Sequence, residues 1–260
     1  MNFRWPSPPL RRGAGKYLLA GALLAAPLAA ATVVLTPTKD TTLYGPTDKS
    51  NGSGAEFFAG RAGHGNILRA LVAFDLSAIP AGVLIESAEL TLTITTPQGS
   101  HANTVDLHRL LANWGQGLSA AGSGGGGGAL AMTGDATWNT RFFNTPGTAW
   151  ATAGGDFASA VSAFDFVTGS SGTAEFSSPG LVADVQAWVN GTASNFGWIL
   201  VAEDEVTTGA AIRFASREAA TGKPTLAVSY SVASVPEPGA TALFAGVGAL
   251  LLVLWRRRLA

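Results

Sequence analysis

The chain has 260 residues, 47% of them hydrophobic and only 13% charged, and this balance excludes an intrinsically disordered protein. A net charge of -1 also excludes the dense Lys/Arg surface that neutralises phosphates, so no nucleic-acid partner is expected. There is no cysteine, so the fold has to be held by its core without disulfides.

The first expected element is a leader. Arg4, Arg11, Arg12 and Lys16 precede an apolar run over 17–31 that closes on the small residues Ala29 and Ala31. The run is shorter than the roughly 20 residues a bilayer span needs. Residues 1–31 therefore read as a secretory signal peptide, cut by signal peptidase after Ala31. What remains before the tail, 32–234, suits one large domain.

Within that body, short alternating runs rich in β-branched residues are separated by Gly, Pro, Asn and Ser. They fall at 68–74, 85–95, 104–110, 198–202, 211–214 and 225–232. In the second run Leu90, Leu92 and Ile94 share one face while Thr91, Thr93 and Thr95 share the other, the pattern of a half-buried strand. One helix is expected over 178–191: Ser178 can cap it, Pro179 suits its first turn, Gly191 suits its end, and Leu181, Val185, Trp188 and Val189 follow helical spacing. The glycine-rich segment 121–129 reads as a flexible surface loop, not a phosphate cradle, because no Lys-Ser/Thr follows in register. The expected fold is all-β: a single β-sandwich or jelly roll with one short helix.

Catalytic signatures are missing from the sequence. There is no Gly-x-Ser-x-Gly elbow, no His-Glu-x-x-His pair and no cysteine nucleophile, so the chain is not expected to be an enzyme. The histidines are His64, His101 and His108, the last expected either to face solvent beside Asp106 or to pack at a sheet surface. Glu203, Asp204 and Glu205 read as a solvated turn in preference to a glycosidase pair. Asp40, Asp75, Asp165 and Asp184 lie near strand or helix ends and are the candidate oxygen ligands for a structural Ca2+, although their spacing matches no EF-hand. For a sugar, the candidate stacking residues are Trp114, Trp138 and Trp150, with Trp150 expected to be the most exposed and the others open to a core role. Arg61, Arg69, Arg213 and Arg217 could meet an acidic sugar, and Arg69 and Arg217 could instead form structural ion pairs.

A series of short stretches then falls in a telling order: D40-T-T-L-Y, N51-G-S, R69-A-L-V-A-F-D with A78-I-P, A88-E-L-T-L, W114, A136-T-W-N, D184-V-Q-A-W-V-N-G, N195-F-G-W-I-L, F214-A-S-R-E and K223-P-T-L. In this order they resemble the DNRLRE, or disaggregatase-related, domain family, whose members are similar to non-catalytic carbohydrate-binding modules. The resemblance implies a β-sandwich that binds acidic or neutral polysaccharide. The chain departs from the family pattern in its glycine-rich insertion and over 154–174.

The tail is the last element. Residues 239–255 carry no charge, and Arg256, Arg257 and Arg258 follow as a stop-transfer cluster. As a helix the uncharged run spans roughly 25 Å, enough for a thin bilayer. A plain anchor would not need Pro236-Glu237-Pro238 at its outer edge. Together these parts, over 235–260, resemble the PEP-CTERM sorting signal of Gram-negative bacteria. That implies export across the inner membrane, a transient membrane anchor, processing by an exosortase, and a place at the cell surface or in the extracellular matrix alongside exopolysaccharide. The expected function is non-catalytic polysaccharide binding, with a purely structural matrix or adhesion protein as the alternative and a polysaccharide-degrading enzyme third. Aromatic rows on a sheet face, a flat apolar patch, or a cleft with paired carboxylates would separate the three.

Overall fold

The computed structural model describes residues 29–95, 101–122, 124–168, 171–232 and 238–258. Most of the expected signal peptide, with Pro236 and Glu237, lies outside them. Residues 28–233 form one compact unit and the C-terminal helix belongs to another.

Strand alternation builds the first unit. β6 (Leu84–Ile94) turns Leu90 and Leu92 inward, and β13 (Thr225–Val232) and β10 (Gly172–Ser177) flank it antiparallel, so that Phe176, Leu90 and Leu226 lie in one line. All three are fully buried. β1 (Ala29–Leu35) adds outside β13 with Ala29 opposite Val232, so pairing begins three residues before the expected cleavage point. The other half runs β2 (Pro37–Gly45), β5 (Ile67–Phe74), β11 (Trp198–Ala202), β7 (Asn103–Leu110) and β9 (Phe157–Val167), also antiparallel. β4 (Glu56–Arg61) and β12 (Ile212–Ala215) join the halves into one sheet of eleven strands. Small strands β3 (Lys49–Ser50) and β8 (Ala129–Leu130) pair separately.

The sheet folds back on itself, and the main core lies between its halves: Val72, Leu107, Trp198 and Leu200 from one, Leu90, Leu92, Phe176 and Leu226 from the other. Each such side chain contributes about 1.5–3 kcal/mol by leaving water. Helix α1 (Pro179–Val189) packs Leu181, Val185 and Trp188 into this core, and Ser178 caps it by accepting the Leu181 N–H at 3.1 Å. Trp188 is a packing residue as expected, its ring 4.6 Å from that of Trp198.

Two smaller clusters lie outside the main core. Leu43, Leu71, Leu110 and Ile199 point outward from the second half and are covered by Trp114, Ala136 and Trp150 from the connection between β7 and β9. Tyr44, Phe58 and Leu68 form the other, and here the glycine-rich segment departs from the flexible loop expected. Gly125 and Gly128 have φ of 56° and 64°, and a Cβ on them would come 2.8 Å from Phe58 and 3.0 Å from Tyr44. The Tyr44 hydroxyl donates to the Gly125 carbonyl at 2.7 Å. Glycine is required because backbone lies directly on aromatic rings.

The second unit contributes helix α2 (Pro238–Arg257), which begins at the second proline of the Pro-Glu-Pro stretch and ends in Arg256 and Arg257. Among the described residues no helix is long and apolar enough to cross a membrane. The side chains of 238–245 and 249 fall outside that description.

Candidate functional site

β9 sits at the open edge of the second half and reverses the usual alternation. Ala163 and Val167 turn into the main core, while Phe164 and Phe166 turn outward and stay 66% and 61% exposed. Along a strand, residues two apart lie roughly 7 Å apart on the same face. Register sets their neighbours: Phe164 lies opposite Asp106 and Phe166 opposite Thr104 on β7, and Asp106 lies opposite Val201 on β11. Glu203 follows β11, with its N–H donating to the Thr104 carbonyl at 2.9 Å. Two exposed rings thus border two carboxylates on neighbouring strands.

These carboxylates feel each other. Asp106 is raised above the usual carboxylate range, first by partial burial and then by the Glu203 charge, with His108 acting in the opposite direction. His108 is 8% exposed and does pack at the sheet surface: its Nδ1 donates to the Ala158 carbonyl at 3.0 Å and its ring lies 5.1 Å from Phe157. It fills the place where the β7–β9 register shifts.

Beyond β11 on the same face stands Arg69 of β5. Its Nε and Nη2 donate to Glu205 at 2.8 and 2.9 Å, its Nη1 donates to the Gly154 carbonyl at 3.0 Å, and its guanidinium lies 4.9 Å over Trp138. A cavity of about 670 Å3 opens here, lined by Arg69, Leu111, Thr152, Asp156 and Phe157 among others. Its charged groups are already committed, since both Asp156 oxygens accept loop N–H groups at 2.8 Å. From Phe157 at this cavity to Phe166, the outer face of β9 runs for about 30 Å.

The structure distributes the sequence-derived candidates differently. Trp150 is buried, not exposed, because its indole N–H donates to the Thr137 carbonyl at 2.9 Å inside the outer cluster. Trp114 is buried too, donating to the Phe196 carbonyl at 2.9 Å beneath the Lys39 ammonium. Of the three tryptophans only Trp138 is half-exposed, and Arg69 lies over its ring. Glu205 is no solvated turn residue, because Arg69 holds it; Asp204 does form the turn, accepting the Val206 and Thr207 N–H groups. Arg213 pairs with Glu56 at 3.2 Å and Arg217 with Glu218 at 3.0 Å, structural ion pairs in both cases.

The four candidate calcium ligands each have separate work. Asp75 accepts from Ser77, Asp165 accepts the Glu175 N–H, and Asp184 accepts from Ser162 and Trp198 while pairing with Arg109 at 3.4 Å. Asp40 is buried, accepts the Arg217 N–H at 2.7 Å through Oδ2, and leaves Oδ1 without a partner. Among the described residues no group of three His, Cys, Asp or Glu side chains is placed to hold a metal.

No protein-family model matches the chain, and no curated protein is similar enough to count as a relative. The residues that sequence reasoning passed over are Phe164 and Phe166. Their signal was the F-D-F alternation in F157-A-S-A-V-S-A-F-D-F-V167, inside a segment read only as a departure from a family pattern.

Proposed function

We propose that this chain is an exported surface or matrix protein that binds polysaccharide without cleaving it, on the outer face of β9. The observation that carries this reading is the pair of exposed phenylalanines beside Asp106, Thr104 and Glu203. Sugars present apolar C–H faces that stack on rings, and hydroxyls that carboxylates and threonines bond. A face about 30 Å long matches a polymer better than a small molecule. The face is an open sheet surface, whereas cleavage by a carboxylate pair needs a held water or nucleophile against the glycosidic bond. The ordered DNRLRE-like stretches support a carbohydrate-binding module, and the PEP-CTERM-like tail, with Pro236, Glu237 and Pro238 before an uncharged run and three arginines, supports exosortase sorting. A second reading, docking of another protein on the same strip, draws on the open edge of β9 and the exposure of Val161.

The test is affinity electrophoresis of the full chain, in detergent, through gels containing the producing cell's own exopolysaccharide, with polymer length measured afterwards. Retardation with intact polymer is expected. Shortened polymer would show an enzyme, and free migration would leave the structural reading.

A further inference from the structure

Resting on that reading, we propose that the β9 face selects a neutral, hydroxyl-rich glycan and turns away polyanionic ones such as polyuronates. The charge on the face points this way. Among the described residues, Asp106 on β7, opposite Phe164, and Glu203, just past the end of β11, are the ionisable groups beside Phe164 and Phe166, and both are acidic. Arg69 lies farther along the face, but its Nε, Nη1 and Nη2 are taken up by Glu205 and Gly154, and Glu205 balances its charge. His108 is turned into the β9 backbone, and His101 lies at the exposed start of β7, beside Asp204. A uronate stacked on Phe164 would bring its carboxylate against Asp106 and Glu203, with no cation among the described residues placed there to receive it. Like charges across an interface suppress the wrong ligand, while a carboxylate bonds a sugar hydroxyl more strongly than a neutral acceptor does.

The acids therefore have two jobs that one pair of substitutions separates. In D106N/E203Q, with both side chains nearly the same in size, binding to a neutral polymer should weaken several-fold and binding to a polyuronate should appear. In F164A/F166A, where both rings are largely solvent-exposed, binding to the neutral polymer should weaken at least tenfold.

The experiment runs the full chain and both variants, in detergent, through gels carrying either a neutral β-glucan or polygalacturonate. Circular dichroism confirms folding, and sedimentation velocity follows self-association. Retardation by the β-glucan alone, lost in F164A/F166A, with polygalacturonate binding gained in D106N/E203Q, is the expected result. Equal retardation of the natural chain by polygalacturonate, lost in F164A/F166A, would overturn the charge selection while leaving the face as the binding site. Retardation indifferent to F164A/F166A, no retardation by either polymer, or a dimer that F164A/F166A dissolves would overturn the binding reading itself, the last by showing a second copy on the face.

Discussion

Asp40 gives the sharpest quantitative prediction. Burial pushes its carboxyl up to about 7 from an ordinary 3.8, against the pull of the Arg217 N–H and of the Arg217 and Lys223 charges, and with Glu218 adding to the rise. Between about pH 4 and pH 7 the folded chain keeps a proton that the unfolded chain has lost. Stability from this group is therefore full below about pH 4, declines as pH rises to about 7, and is level above. Roughly three pH units at about 1.4 kcal/mol each make this about 4 kcal/mol. Urea unfolding of the 28–233 unit at half-unit steps from pH 4.5 to 8, beside Asp40→Asn, reads it directly. Because the scan starts above the unfolded-state value, the variant should gain about 3 kcal/mol on the natural chain between the two ends, since asparagine has no charge to bury. The difference isolates Asp40 from Asp75 and Asp204, whose carboxyls are lowered by their turn hydrogen bonds and titrate below this window. A constant difference across the range would refute the buried-acid argument.

Other consequences are simpler to check. Gly197 has φ of 81°, and a Cβ there would lie 2.7 Å from the Ala73 Cα, so Gly197→Ala should lower the thermal midpoint and cost more than about 1 kcal/mol in unfolding. Glu205→Gln removes one half of a largely buried bidentate pair and should cost about 1–3 kcal/mol while exposing Arg69 to ligand, measured by urea unfolding and by a gain of polygalacturonate retardation. Phe214, fully buried and 5.8 Å from the Phe57 ring, should cost about 3–5 kcal/mol when changed to alanine, by the same unfolding assay.

The sequence was readable where burial followed alternation. β6 and β13 lie within a residue of their expected places because Leu90, Leu92 and Leu226 face the core and polar residues face away, and β11 does so as a short all-apolar run, Leu200 in the main core and Ile199 beneath the outer cluster. Helix α1 was equally plain, since Ser178, Pro179 and the Leu181, Val185, Trp188 stripe all pointed to it. β9 was hidden by inversion: its large rings face solvent while Ala163 faces the core and Asp165 sits on that same side, so a pattern of apolar-in, polar-out misreads it. β1 was concealed because Ala29, Ala30 and Ala31 suit a leader's end as well as a strand. Trp150 misled for another reason, while Trp114 took the core role that was left open for it. A loop residue is expected at the surface, but Trp114 and Trp150 belong to a long connection that folds back over Leu43, Leu71 and Ile199 and needs its own apolar side chains to seal them.

Phe164 and Phe166 are the two rings on which the proposed binding depends. Titration calorimetry of a neutral β-glucan oligosaccharide into the full chain in detergent, and into F164A/F166A, tests them most directly. Binding in the natural chain that weakens at least tenfold in the variant, with an unchanged circular dichroism spectrum, is the predicted result; equal binding by both proteins, or heat from neither, would contradict it.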